Sequence, residues 1–149
     1  MNLPSPSSAL ATASRLCDER GQKLTELRRR VLEIIVHSRK PLGAYAILDV
    51  LRAEGRNGAP PTVYRALEFL LEQGLIHRLA SLNAYIGCTH PHERHGSQFL
   101  ICKHCGAVGE LISTRLESDI AAAAQAQGFT AEATIVEVLG RCAACREPS

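Results

Sequence analysis

The chain has 149 residues, enough for one large domain or two small ones. Apolar residues make up 46% and charged residues 21%, which supports a packed core and argues against disorder. No apolar run approaches the roughly 18 residues of a membrane-spanning helix, which excludes a membrane protein of that kind.

The net charge of +2 hides an asymmetry: residues 1–83 carry +4 and residues 84–149 carry −2, with every cysteine except Cys17 in the acidic part. Such a split suggests that one part meets a polyanion while the other holds metal. Met1 to Ala11 lacks the basic stretch and apolar run of a secretory signal, so a cytoplasmic location is expected. In that reducing compartment six cysteines point to metal or redox chemistry more readily than to disulfides.

Pro4 to Ser8 reads as a frayed start, and Ala9 to Arg20 as a helix with Leu10, Ala13, Leu16 and Cys17 on one stripe and Gly21 ending it. On that stripe Cys17 is expected to act as a small buried hydrophobe. Thr25 is an N-cap for the next helix, with Glu26 in its first turn. Leu27, Val31, Ile34 and Ile35 recur at helical spacing and face a core, while Arg28, Arg29 and Arg30 cover the other side. His37 is expected to be a helix-end charge.

Pro41-Leu42-Gly43 breaks the chain before a third helix over Ala44 to Ala53, with Tyr45, Leu48 and Leu51 as its apolar stripe. Asp49 and Arg52, three apart on it, are spaced to pair locally. Asn57 to Pro61 forms a turn, and Thr62 is read as the cap of a fourth helix running to Gln73. Thr62, Tyr64 and Arg65 then present a hydroxyl, a phenol and a guanidinium in the first turn of what reads as a recognition helix. Arginine is the commonest specific reader of guanine edges. Ile76 to Leu79 and Ala84 to Gly87 read as a hairpin, the wing of a winged helix, with Arg78 in reach of a phosphate.

From Cys88 the composition changes. Thr89 to Gly96 is polar, broken by Pro91 and contains His90, His92 and His95. Strands are expected at Gln98 to Ile101 and Ala107 to Ile112, an Ala-rich helix from Ser113 to Gln127, and a strand from Thr134 to Leu139. The expected fold is therefore α+β. A winged-helix domain (1–84) is followed by a hinge (85–97) and a small α/β dimerisation and metal-binding domain (98–149). The Ala-rich helix and apolar last strand look under-covered in a monomer and would gain from a two-fold axis.

Cys102-Lys103-His104-Cys105 and Cys142-Ala143-Ala144-Cys145 are two matched CxxC turns. Each points two sulfurs at one ion, and together they supply the four ligands of a structural zinc. A redox CxxC is the rival reading for either pair alone, and His104 inside the first is expected to face solvent or to donate a hydrogen bond to the ligands. His77, Cys88, His90, His92, His95 and Glu110 remain after that site and gather near the junction of the two halves. Mixed nitrogen, sulfur and carboxylate ligands suit a second, sensing zinc, against the plainer alternative of scattered surface histidines. An enzyme is not expected: the zinc-deaminase pattern H-x-E with P-C-x-x-C is absent, and four sulfurs leave no open coordination position.

Pro61-Thr62-Val63-Tyr64-Arg65-Ala66-Leu67, Phe69 to Gly74, Phe99-Leu100-Ile101-Cys102, Cys105-Gly106-Ala107-Val108 and the terminal Cys142 to Cys145 together resemble the ferric uptake regulator family. Within it they are most similar to the zinc uptake regulator branch, and the resemblance runs from about residue 12 to residue 146. It implies a homodimeric repressor that binds operator DNA when zinc-loaded and silences zinc-uptake genes, with two zinc ions per subunit. By position, Cys102, Cys105, Cys142 and Cys145 match the structural zinc ligands, and His77, Cys88, His95 and Glu110 the regulatory ones. Tyr45, Tyr64 and Arg65 match residues that read DNA. Asp49 and Arg52 match a pair that bridges neighbouring dimers, which would place two dimers on one operator.

An iron-responsive or peroxide-responsive regulator of the same fold is the alternative. Two departures bear on it. The dense histidine run of the iron branch is interrupted here by Gly96-Ser97-Gln98, and cysteine at 88 favours a softer ion than ferrous iron. Thr25-Glu26-Leu27-Arg28 also stands where the family often has Thr-Pro-Gln-Arg.

Overall fold

The computed structural model describes residues 5–56, 58–91 and 97–146. The expectations for Asn57, His92 and His95 lie outside the described residues. The chain divides into two compact units, Asn2–His92 and Glu93–Ser149. Among the described residues no helix is long and apolar enough to cross a membrane.

The first unit contains α1 (Pro6–Glu19), α2 (Glu26–His37), α3 (Ala44–Ala53), α4 (Pro60–Glu72), β1 (Ile76–Leu79) and β2 (Ala84–Gly87). The first helix begins earlier than its stripe suggested. Ser5 caps it by accepting from Ser8 N–H, and Pro6 takes a first-turn position, where its missing N–H costs nothing. Thr25 caps α2 through Arg28 N–H, as its sequence position predicts. Leu10, Ala13, Leu16 and Cys17 of α1 pack with Val31, Leu32, Ile34 and Ile35 of α2 in one buried cluster. Ile47, Leu48 and Leu51 of α3 and Val63, Ala66, Leu67 and Leu70 of α4 complete it. Burying each such side chain contributes about 1.5–3 kcal/mol, which is what holds these short helices together.

Two local readings are corrected. Tyr45 is 66% exposed and not part of the α3 stripe; Ala44 and Ile47 take the buried positions. Thr62 is not the cap of α4, because the helix starts three residues earlier than expected, at Pro60 behind Ala59, with prolines filling its first turn. Gly74, at φ 69°, turns the chain out of α4 into the hairpin. There β1 and β2 pair antiparallel, with Ile76 opposite Gly87 and Leu79 opposite Ala84.

The arginine triplet of α2 is not a uniformly solvated face. Arg28 lies 3.8 Å from the centroid of the Phe69 ring and donates to Lys23 O, and Arg30 pairs with Glu54, just after α3, and with Glu33. Only Arg29 of the three is exposed.

The second unit contains β3 (Ser97–Cys102), β4 (Val108–Glu110), α5 (Thr114–Ala126), β5 (Ile135–Gly140) and a 3-10 turn at Ala143–Cys145. The sheet order is β4-β3-β5, with β3 central, β4 antiparallel to it and β5 parallel. The second strand is shorter than the expected Ala107 to Ile112, and it pairs only through Val108, Gly109 and Glu110. Ser113 caps α5 through Leu116 N–H.

Candidate metal centre and nucleic-acid face

Parallel pairing decides where the two CxxC turns meet. Cys102 at the end of β3 stands opposite Gly140 at the end of β5, so both turns leave the sheet side by side. Lys103 N–H donates to Gly140 O at 2.8 Å and ties the first turn to the second strand. Gly106, at φ 75°, lets the chain fold back so that its N–H reaches Cys102 O at 3.0 Å.

The four sulfurs of Cys102, Cys105, Cys142 and Cys145 consequently lie within 4.8 Å of one another, and Cys105 and Cys142 are 3.7 Å apart. A tetrahedron with zinc–sulfur bonds of about 2.3 Å has edges of about 3.8 Å, so the donor set fits zinc. Backbone N–H groups of Cys105 and Cys142 donate to Cys102 Sγ at 3.5 and 3.4 Å.

The acidities of the cluster are split. The amide of Cys105, then that of Cys142, holds the Cys102 thiol down to about 5. Cys145 is pushed up to about 12, first by hydrogen bonding with Cys142 and then by burial. Crowded sulfurs resist accumulating negative charge; a dication between them removes that resistance and favours the thiolate in each. Cys17, in contrast, sits 1% exposed in the apolar core, and burial pushes its thiol up, away from reactive behaviour.

In the first unit, His77 on β1 and Cys88 just after β2 bring a ring nitrogen and a sulfur within 4.8 Å. Cys88 is buried, and its N–H donates to Leu75 O at 3.0 Å, which fixes the thiol beside the hairpin. His90 is half-buried, with Nδ1 2.8 Å from Thr89 Oγ1. Glu110 closes β4 in the second unit, opposite Phe99 of β3.

The face expected to meet nucleic acid is formed by α3 and α4. Tyr45 and Tyr64 are both exposed and line a crevice between the two helices with Leu48, Pro60 and Val63. Arg65 is exposed beside Tyr64, while Thr62 is half-buried. Asp49 and Arg52 stand exposed on α3, and no ion pair joins them among the described residues. His37 Nδ1 lies 2.8 Å from Glu33 O in its own helix. One partner escaped the reading of the sequence: Asn83 in the hairpin turn, whose Oδ1 accepts from Arg78.

The model of the ferric uptake regulator family matches residues 19–139. The zinc uptake regulation protein of Escherichia coli (strain K12) is 40% identical over 139 residues, spanning 93% of this chain and 81% of that protein. A solved zinc uptake regulator complexed with zinc and DNA is 38% identical, with a TM-score of 0.90 over 95% of each chain. The crystal structure of holo XcZur is 43% identical, with a TM-score of 0.86 over 93% of this chain and 96% of its own.

Proposed function

From the premise that this chain belongs to the ferric uptake regulator family, we propose that it is a zinc-responsive transcriptional regulator that binds operator DNA as a dimer and represses zinc-uptake genes. The observation that carries the zinc response is the His77–Cys88 pair, a nitrogen and a sulfur donor separate from the four-cysteine cluster. Bound zinc supplies positive charge and a tetrahedral set of directions at each site.

The two sites have different work. Cys102, Cys105, Cys142 and Cys145 hold the ends of β3 and β5 together, and their contribution is to folding. His77, Cys88, His95 and Glu110 form the regulatory set. Occupancy of this set raises the fraction of chains competent to bind DNA. Without it, apparent DNA affinity falls by the fraction of chains in the competent arrangement.

Tyr45, Thr62, Tyr64 and Arg65 are the groups that read or position the duplex. Two recognition helices about 34 Å apart reach successive major grooves, which requires a dimer. Support for self-association comes from the second unit, where Phe129, Ile135, Val138 and Leu139 are 65%, 62%, 48% and 52% exposed and α5 has no buried residue. Such a surface is costly to leave in water. Asp49 and Arg52, exposed on α3, serve as the contact between neighbouring dimers on one operator.

The test is zinc per subunit before and after dialysis against a moderate chelator, with DNA binding followed in parallel. About two zinc ions falling to about one, with DNA released at the same step, is the expected result. A steady value near one, or release by oxidant and not by chelator, refutes zinc sensing.

A further inference from the structure

Arg78 of β1 stands directly opposite Tyr85 of β2, so both side chains rise from one face of the hairpin. Its Nη2 donates to Asn83 Oδ1 at 2.9 Å. Asn83 closes the turn at φ 47°, a left-handed conformation that asparagine tolerates better than most residues.

The same hairpin is tied to the start of α3. Tyr85 N–H donates to Leu42 O at 2.8 Å, and Leu42 N–H donates back to Tyr85 O at 3.1 Å, just before α3. Asn83 O lies 3.6 Å from where a Cβ on Gly43, the N-cap of α3, would stand. One set of contacts thus joins the wing tip to the start of α3.

We infer that Arg78 is a DNA-phosphate contact aimed by Asn83, so that the wing meets the duplex in fixed register with the recognition helix. The inference rests on the DNA-binding reading above. Arginine has five donors, and the bond to Asn83 leaves others for a phosphate. Holding the side chain in place beforehand removes rotamer entropy that binding otherwise costs. Asn83 is accordingly a positioning residue.

The experiment measures affinity of the full, zinc-loaded chain for a labelled random-sequence duplex across a salt series. Arg78→Ala is expected to make the slope of log K against log salt shallower by about 0.9 for each Arg78 at a phosphate. Arg78→Lys keeps the charge and the slope but binds more weakly. Asn83→Gly, which tolerates the turn conformation, does the same.

An unchanged slope in Arg78→Ala overturns the inference. Should that variant lose its folding transition, Arg78→Lys binding as tightly as the native chain overturns it instead. A native chain with no salt-dependent binding to any duplex would refute the DNA-binding reading itself, a result distinct from failure of Arg78 alone.

Discussion

Replacing Cys142 by serine isolates one sulfur of the four-cysteine cluster. Cys142 Sγ is 3.7 Å from Cys105 Sγ, close to the edge of about 3.8 Å that zinc–sulfur bonds of about 2.3 Å require. This spacing therefore needs little adjustment to take the ion. Structural zinc supplies at least about 10 kcal/mol in small zinc peptides near neutral pH. Shared evenly among four sulfurs, that is about 2.5 kcal/mol per ligand, or about 70-fold in affinity. Serine preserves the backbone N–H that Cys142 donates to Cys102 Sγ, so the change reports on the sulfur. Competition against a chromophoric zinc chelator reads the affinity, and thermal unfolding reads each unit. The expected outcome is a loss of that order with a lower transition for Glu93–Ser149, while Asn2–His92, with its own core, holds its transition. Zinc affinity equal to the native value would refute the argument that these sulfurs form one tetrahedron.

Three further outcomes are expected. Leu51→Ala empties a fully buried position of α3 and should cost about 2–5 kcal/mol in urea unfolding, at an unchanged m-value; a loss below about 1 kcal/mol would contradict the packing described. Glu54 is held below the ordinary carboxylate range, first by its hydrogen bond from Arg30, so it stabilises the fold above its unfolded pKa and stops doing so as pH falls through the folded one. Glu54→Gln should therefore be less stable than the native chain near neutrality and should converge with it in acid; a constant difference across that range would count against the ion pair. Arg65→Ala should relax operator preference by about 1–3 kcal/mol at one base pair if the guanidinium reads a guanine, as a binding-site selection would reveal; an unchanged preference assigns Arg65 to the backbone.

Much of the first unit was legible because its determinants are local. Thr25 before an apolar stripe, Gly74 after one, and alternating short runs around Ala80 to Asn83 set the bounds of α2, the end of α4 and the whole hairpin through capping, backbone freedom and period. Periodicity failed at Tyr45, whose aromatic ring has the hydrophobicity of a core residue, but whose place in the first turn of α3 faces solvent. It also failed at Arg28 and Arg30, because the Phe69 ring and the Glu54 carboxylate that engage them come from α4 and from the end of α3, distant in sequence. The amino-acid sequence by itself determined which ligand types the chain carries and that they come in two tight turns. Only the tertiary structure decided that the four sulfurs converge, because the parallel register of β3 and β5 sets Cys102 against Gly140 across about 40 residues of chain, and no local rule fixes a pairing that distant.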